Sequence, residues 1–461
     1  MTRDLTYGKP LKLILQFGIP ILLGFLFQQF YNMADTAIVG HFLGGNALAA
    51  VGCTGSVNFL VIGFCSGICN GFAIPIAQQF GARDYPELRR YVNGAMWLCI
   101  FFAVVITTVT TVFCRDILTV MNTQPEVFEG ANTYISTIFA GIPTFFLYNM
   151  CAAILRSLGD SRTPVTWLII ASLINIALDL FCIIVLDMGI FGAAIATVTA
   201  QLISGVGCLI RVLRGFPEVL RSQSRGESCA KTGHFLRLCG MGLPMGLQYS
   251  ITAIGSIVLQ SAVNTLGTAY VTAVTAGSKL SMFLVCPFDA MGSTMATYGG
   301  QNVGAKKLDR LGEGLKSCVL LGLVYSVITF AAILLFSVPM SKIFLDEESM
   351  ALTPYVRQFL IAQGAFYFPL SLVNIVRFMI QGMGFSPMAT VSGVFEMIAR
   401  CGVAYLAGFW GFNAVCFASP AAWVLADLFL IPAYFICRRK LYKKSDETRA
   451  ITSGKPLTVH E

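Results

Sequence analysis

The stretch QQFYNMADTAIVG, Gln28 to Gly40, places an ionisable carboxylate, Asp35, inside a run apolar enough to be a membrane-spanning helix. At the helical repeat, Gln28, Tyr31 with Asn32, and Asp35 recur at i, i+3/i+4 and i+7, so they form one polar stripe on an otherwise apolar rod. An acid near a bilayer centre costs roughly 2.5 to 3.5 kcal/mol on insertion scales, so the stripe must face something wetter than lipid and marks a candidate functional site. The plainer reading is an Asp that caps or hydrogen-bonds a neighbouring helix.

The rest of the chain repeats the apolar theme. Of 461 residues 56% are hydrophobic and 12% charged, against about 25% charged in an average soluble domain. Stretches of about 20 apolar residues, long enough to cross the hydrocarbon, recur along the whole length. Barrel strands would instead show short alternating segments. The fold class is therefore an all-α integral membrane protein with twelve transmembrane helices. The spans are expected near 12–40, 47–80, 91–113, 134–156, 164–186 and 190–213, then 236–265, 272–303, 314–337, 354–380, 388–409 and 413–437. The amino terminus has no small-residue cleavage site, so its first apolar run reads as a retained span. The 15 cysteines lie mostly inside spans, as small hydrophobes rather than a disulfide framework, and three scattered histidines make no metal site.

A net charge of +8 would suggest nucleic acid in a soluble protein, but here its distribution carries the meaning. Of 31 basic residues, 25 fall on the side of the amino terminus, in the alternate loops and both termini. By the positive-inside rule both termini are cytoplasmic, and the nucleic-acid reading disappears. The longest polar stretch, Arg214 to His234, reads as a linker at 214–235 between a lobe at 1–213 and a second lobe at 236–440, followed by a cytoplasmic tail at 441–461.

The halves are related. LGGNALAAVG from Leu43 matches LGTAYVTAVT from Leu266, and QQFGARDYPEL from Gln78 matches QNVGAKKLDRL from Gln301, both displaced by 223 positions. Pro20 against Pro244, and LRSLGDS from Leu155 against IQGMGFS from Ile380, extend the match. With an even number of spans per half the repeats are parallel: two pseudo-symmetric six-helix bundles able to rock about a central cavity, which favours a transporter.

Five acids lie inside spans: Asp35, Asp179, Asp289, Glu396 and Asp427. Asn175 is one turn from Asp179 on the same face. Counted back from the short turn near Asp187 to Gly189, Asp179 and Thr197 both lie roughly 12 Å deep, and Asp35 lies roughly 7 to 8 Å from Gly40. Two carboxylates, an amide and a hydroxyl suit a partly dehydrated monovalent cation, or a proton held between two acids. At a displacement of 223, Asp35 aligns with Val258 and Asp179 with Gly402, so the second half lacks the pair. Glu396 and Arg400 read as an i,i+4 ion pair that either neutralises itself or handles substrate. Asp289 and Lys279 could line the cavity, whereas Asp427 lies near a span end, within reach of the interface. Tyr31 is the aromatic best placed for a cationic ligand. No nucleotide-phosphate loop, metal set or nucleophile and base pair is present, so the chain is not read as an enzyme.

The pattern YNMADTAIVG, the paired GAR and GAK loops after spans two and eight, LRSLGDSRTP after span four and N-x-x-x-D on span five together resemble the multidrug and toxic compound extrusion transporters over about residues 10 to 440. The resemblance implies a V-shaped pair of six-helix lobes, monomeric, in the plasma membrane of a bacterium, that exports small-molecule drugs or toxic metabolites in exchange for protons or sodium ions, with no cofactor. It implies that Asp35, Asn175, Asp179 and Thr197, with the Ala193 carbonyl, form the amino-lobe cation site, and that Gln28, Tyr31 and Asn149 contact drug, with Asp289 a further candidate. Gln260 and Ala262 stand where some members carry a second acidic site. A lipid-linked precursor flippase and a channel or sensor are the alternatives.

Overall fold

The computed structural model describes residues 3–121, 123–216, 230–342 and 347–453, and every regular element among them is a helix. Nine helices among the described residues are long and apolar enough to cross a bilayer. Two further spans are bent pairs, Pro125–Ala140 with Ile142–Ser157 (46°) and Met350–Ala365 with Tyr367–Gly382 (48°). The first of the nine, Pro10–Ala82, holds two spans, because Gly44 takes φ 83°, ψ −179°, a conformation essentially restricted to glycine. Twelve spans result, as the sequence leads one to expect.

Spans 1 and 2 are residues 10–43 and 45–82. Span 3 is Tyr85–Val112, span 4 the first bent pair, span 5 Arg162–Val185 and span 6 Gly189–Gly215. Spans 7, 8 and 9 are Thr232–Thr265, Thr268–Gly304 and Asp309–Ser341, span 10 is the second bent pair, span 11 is Ser386–Trp410, and span 12 opens the helix Phe412–Ser453.

The differences from expectation lie where polar residues join apolar helices. Span 3 starts six residues early because the Asp84 carboxylate accepts the Glu87 N–H at 3.1 Å and caps the helix in the loop. The last helix runs through KLYKKSDETRA, built largely of good helix formers, so the expected tail is helical as far as Ser453. Most of the expected linker (217–229) and the chain end (454–461) lie outside the described residues.

The duplication is written in the backbone. Gly44 and Gly267, Arg83 and Lys306, and Gly159 and Gly384 all have positive φ, at displacements of 223, 223 and 225. Thus the matched loops turn the same way in both halves.

The two largest apolar cores follow from this. One is built from residues between Ala50 and Phe216 with Leu238. The other takes residues from Val263 to Cys437 but also Leu5, Ile14, Phe17 and Ile21, so the start of span 1 packs into the opposite bundle. Spans 2 and 7 join the bundles through glycines. A Cβ on Gly67 would lie 2.6 Å from the Met245 carbonyl, and one on Gly71 would lie 2.5 Å from Gly242 Cα, so only glycine permits this backbone approach. Further along span 2, Gly52 and Gly55 have nothing within 4 Å. The bundles therefore touch toward the end that carries residues 3–8 and part toward the opposite end.

Candidate functional site

Span 1 continues past Gly40 to the break at Gly44, which puts Asp35 nine residues, about 13 Å, from that end. This corrects the shallower depth counted from Gly40 and levels Asp35 with Asp179 and Thr197. Spans 1, 5 and 6 then bring the three together. Asp35 is 8% exposed and Asp179 0%, and their carboxyl groups stand within hydrogen-bonding range of each other. Among the described residues, Asp35 Oδ1 and Asp179 Oδ1 are buried and have no hydrogen-bond partner.

Around the acids the remaining polar atoms are largely committed. The Asn175 amide, with its nitrogen turned to the acid, donates to Asp179 Oδ2 at 2.8 Å, and its oxygen accepts the Thr197 N–H at 3.1 Å. Thr197 Oγ1 donates to the Ala193 carbonyl at 3.1 Å and lies 3.3 Å from the Tyr31 hydroxyl. Just after Asp179 the helix widens into a π turn, Phe181–Val185. Such turns frequently occur at functional sites. Tyr134 of span 4, 8% exposed, is within electrostatic reach of Asp35, Tyr31 and Asp179. Nothing in the sequence singled it out, because a tyrosine in an apolar run reads as core.

The other expected drug contacts lie apart. Gln28 is exposed two turns along span 1, and Asn149 is half-buried and donates to the Phe145 carbonyl of its own helix at 2.9 Å. Asp289 of span 8 is exposed in the second bundle and accepts from Asn374 Nδ2 at 3.4 Å, and Lys279 is exposed on the same span. Among the described residues no hydrogen bond ties Gln28, Asn149 or Asp289 to the Asp35 cluster.

One expectation for the second bundle holds and is extended, and one needs correction: Arg400 pairs with Glu396 as the i,i+4 spacing implies, but it is not the first partner. Glu396 is held first by Arg377 of span 10, with which it makes a buried ion pair, and Arg400 is the more distant partner at 3.4 Å. The i,i+4 spacing suggested Arg400 because a partner on another span leaves no periodic trace. Asp427 does not reach an interface: it is 7% exposed, lies within electrostatic reach of Arg377, and its Oδ1 has no partner. The helix carrying it continues well beyond residue 437, which places the acid inside the bundle.

Twelve spans in two bundles that meet at one end and part toward the other, with a buried acid pair in one of them, define a membrane transporter. A family model described as MatE matches residues 20–181 and 244–406, one match per half of the duplication. The chain belongs to the MatE family. It is 30% identical over 301 residues to a probable multidrug resistance protein, YpnP, of Bacillus subtilis (strain 168), covering 65% of this chain and 67% of that one. An FAD transporter of Shewanella oneidensis is 21% identical over 374 residues, covering 79% and 80%. The fold superposes on a crystal structure of MATE in complex with MaL6 with a TM-score of 0.89 at 22% identity, over 96% of this chain and 100% of that one.

Proposed function

We propose that the protein is a cation-coupled efflux antiporter of a bacterial plasma membrane, exporting amphipathic, often cationic organic molecules in exchange for protons or sodium ions. The abutting carboxyl groups of Asp35 and Asp179 carry this reading. Two unit charges about 4 Å apart at an effective dielectric near 20 repel by roughly 4 kcal/mol, so two such acids are at ease only with a proton or a cation between them. The basic end, where the bundles meet, faces the cytoplasm by the positive-inside rule.

Binding of the cation at Asp35 and Asp179 draws spans 1 and 5 together. Because the start of span 1 packs into the second bundle, a change at Asp35 is transmitted across the space between the bundles. Cargo is released outward in that change, and the cation leaves when the basic end opens. A multidrug range fits the name that the Bacillus subtilis relative carries.

The test is dye efflux from proteoliposomes under separately imposed proton and sodium gradients. The native protein moves a fluorescent cation uphill under at least one of them, and Asp35→Asn protein does not. Uphill efflux by Asp35→Asn at the native rate would sink the coupling assignment.

A further inference from the structure

Arg156 stands at the last turn of span 4, and among the described residues no acid forms an ion pair with it. By contrast, Arg377 and Arg400 share Glu396, and Arg211 faces Asp160 at 3.6 Å. Arg156 donates only to Asn70 Oδ1, at 3.3 Å. The titratable groups around it are Tyr148, Cys208, Cys69 and Tyr249, none of them a carboxylate. A guanidinium held among protein groups without a counter-charge is costly unless something else supplies that charge.

Its position says what could. Tyr249 of span 7 is within electrostatic reach of Arg156 of the first bundle and of Arg377 and Asp289 of the second, and Arg377 is also within reach of Asp289. Asn70, Arg156 and Tyr249 are each half-buried and Asp289 is exposed, so all four retain accessible surface. The floor is closed directly beneath: the next residue, Ser157, accepts Gln301 Nε2 from the other bundle at 2.9 Å. A cation without an ion-pair partner in the first bundle and an accessible acid in the second thus lie on either side of Tyr249, and the cation is next to the residue that closes the basic end.

We propose that Arg156, supported by Asn70, receives an anionic carboxylate or phosphate group of the transported molecule, while Asp289 receives its cationic group. The preferred cargo is then a zwitterionic amphiphile rather than a plain cation. A guanidinium suits this role because its planar fork matches a carboxylate or phosphate in a bidentate way. The inference rests on reading the space between the bundles as the cargo route.

The experiment measures equilibrium binding by fluorescence anisotropy in nanodiscs without any gradient, so it is independent of ion coupling. The probes are a rhodamine with a free carboxylate and the methyl ester of the same dye. The native protein binds the acid about tenfold more tightly than the ester. Arg156→Gln removes that preference by weakening the acid, and the cationic ester binds no more weakly than to the native protein, because a like charge has been removed. Asp289→Asn weakens both dyes alike and keeps their ratio, and Asp35→Asn, which abolishes coupling, also keeps the ratio. Equal binding of acid and ester by the native protein overturns the proposal, as does an equal loss of both dyes in Arg156→Gln. If Arg156→Gln does not fold, Asn70→Leu is read instead: weaker binding of the acid alone supports the assignment, and an unchanged acid-to-ester ratio overturns it.

Discussion

Gln78 and Gln301, 223 positions apart, reach across the molecule in opposite directions and make the same bond. Gln78 Nε2 donates to the Gly382 carbonyl at 3.1 Å, and Gln301 Nε2 donates to the Ser157 carbonyl at 2.9 Å. Their oxygens are also committed: Gln78 Oε1 accepts from Arg237 Nη2 at 2.7 Å, and Gln301 Oε1 accepts the Leu5 N–H at 2.9 Å. The GAR and GAK loops that mark the duplication are therefore the clasp that closes the basic end. The amino-terminal segment is laced over it, with Arg3 N–H on the Gly159 carbonyl at 3.0 Å and Lys307 Nζ on the Thr6 carbonyl at 2.9 Å.

Replacing Gln301 with Ala strips two partners at once, from the Leu5 N–H and the Ser157 carbonyl. A buried polar group left unpaired costs about 1 to 3 kcal/mol. Hydrogen exchange followed by mass spectrometry should show residues 3–8 losing protection while spans 5 and 6 keep theirs. Unchanged protection of residues 3–8 would mean that the clasp does not hold the segment.

The loops beside the clasp have no room to spare. A Cβ at Gly304 would lie 1.7 Å from the Gln78 carbonyl oxygen, and one at Gly81 would lie 2.0 Å from the Gln301 carbonyl oxygen. Gly304→Ala must push the two backbones apart, so its Tm in detergent should fall by about 2 °C, as a loss of about 2 kcal/mol implies for a chain of this length. Gly55→Ala is the control, since nothing lies within 4 Å of that site. There a helical glycine gives way to a better helix former, and Tm should hold or rise.

These contacts show where the sequence was legible and where it was not. The spans, the duplication and the pairing of Asp35 with Asp179 could be read because burial cost, periodicity and helical rise act along one chain. The break between spans 1 and 2 could be placed between residues 40 and 47, yet how far helix extends on each side could not, since caps such as Asp84 lie in polar loops that hydropathy ignores. The partners of Glu396 and the approach of Tyr134 depend on how separate spans pack. No spacing encodes that, so the pairing of Glu396 with Arg400 is legible and its pairing with Arg377 is not.

The buried ion pair of Arg377 and Glu396 yields a ranking of variants. Glu396→Gln leaves both arginines without their carboxylate and should cost about 3 to 5 kcal/mol, the usual result of breaking a buried pair from one side. Arg400→Met should cost less, because Glu396 keeps Arg377, whose Nε also donates to Ser392 Oγ at 3.0 Å. Thermal unfolding of the purified variants gives the order. Equal Tm losses would show that the two arginines share the acid evenly.

A substitution at Thr197 separates the two candidate coupling ions. Thr197 Oγ1 is engaged by the Ala193 carbonyl and the Tyr31 hydroxyl, and the Asn175 oxygen faces the Thr197 N–H. Among the described residues, Asp35 Oδ1 and Asp179 Oδ1 are buried without a hydrogen-bond partner. A proton needs no more than two facing carboxylates, whereas a sodium ion needs several oxygens to replace its water. Thr197→Val, which removes the hydroxyl and keeps the shape, should therefore leave proton-driven dye efflux within about twofold of native, while Asp179→Asn abolishes it. Loss of a metal ligand or of its supporting bond typically lowers affinity by 10- to 100-fold. A tenfold rise in the sodium concentration needed for efflux by Thr197→Val protein would identify sodium as the coupling ion and the Thr197 hydroxyl as its ligand.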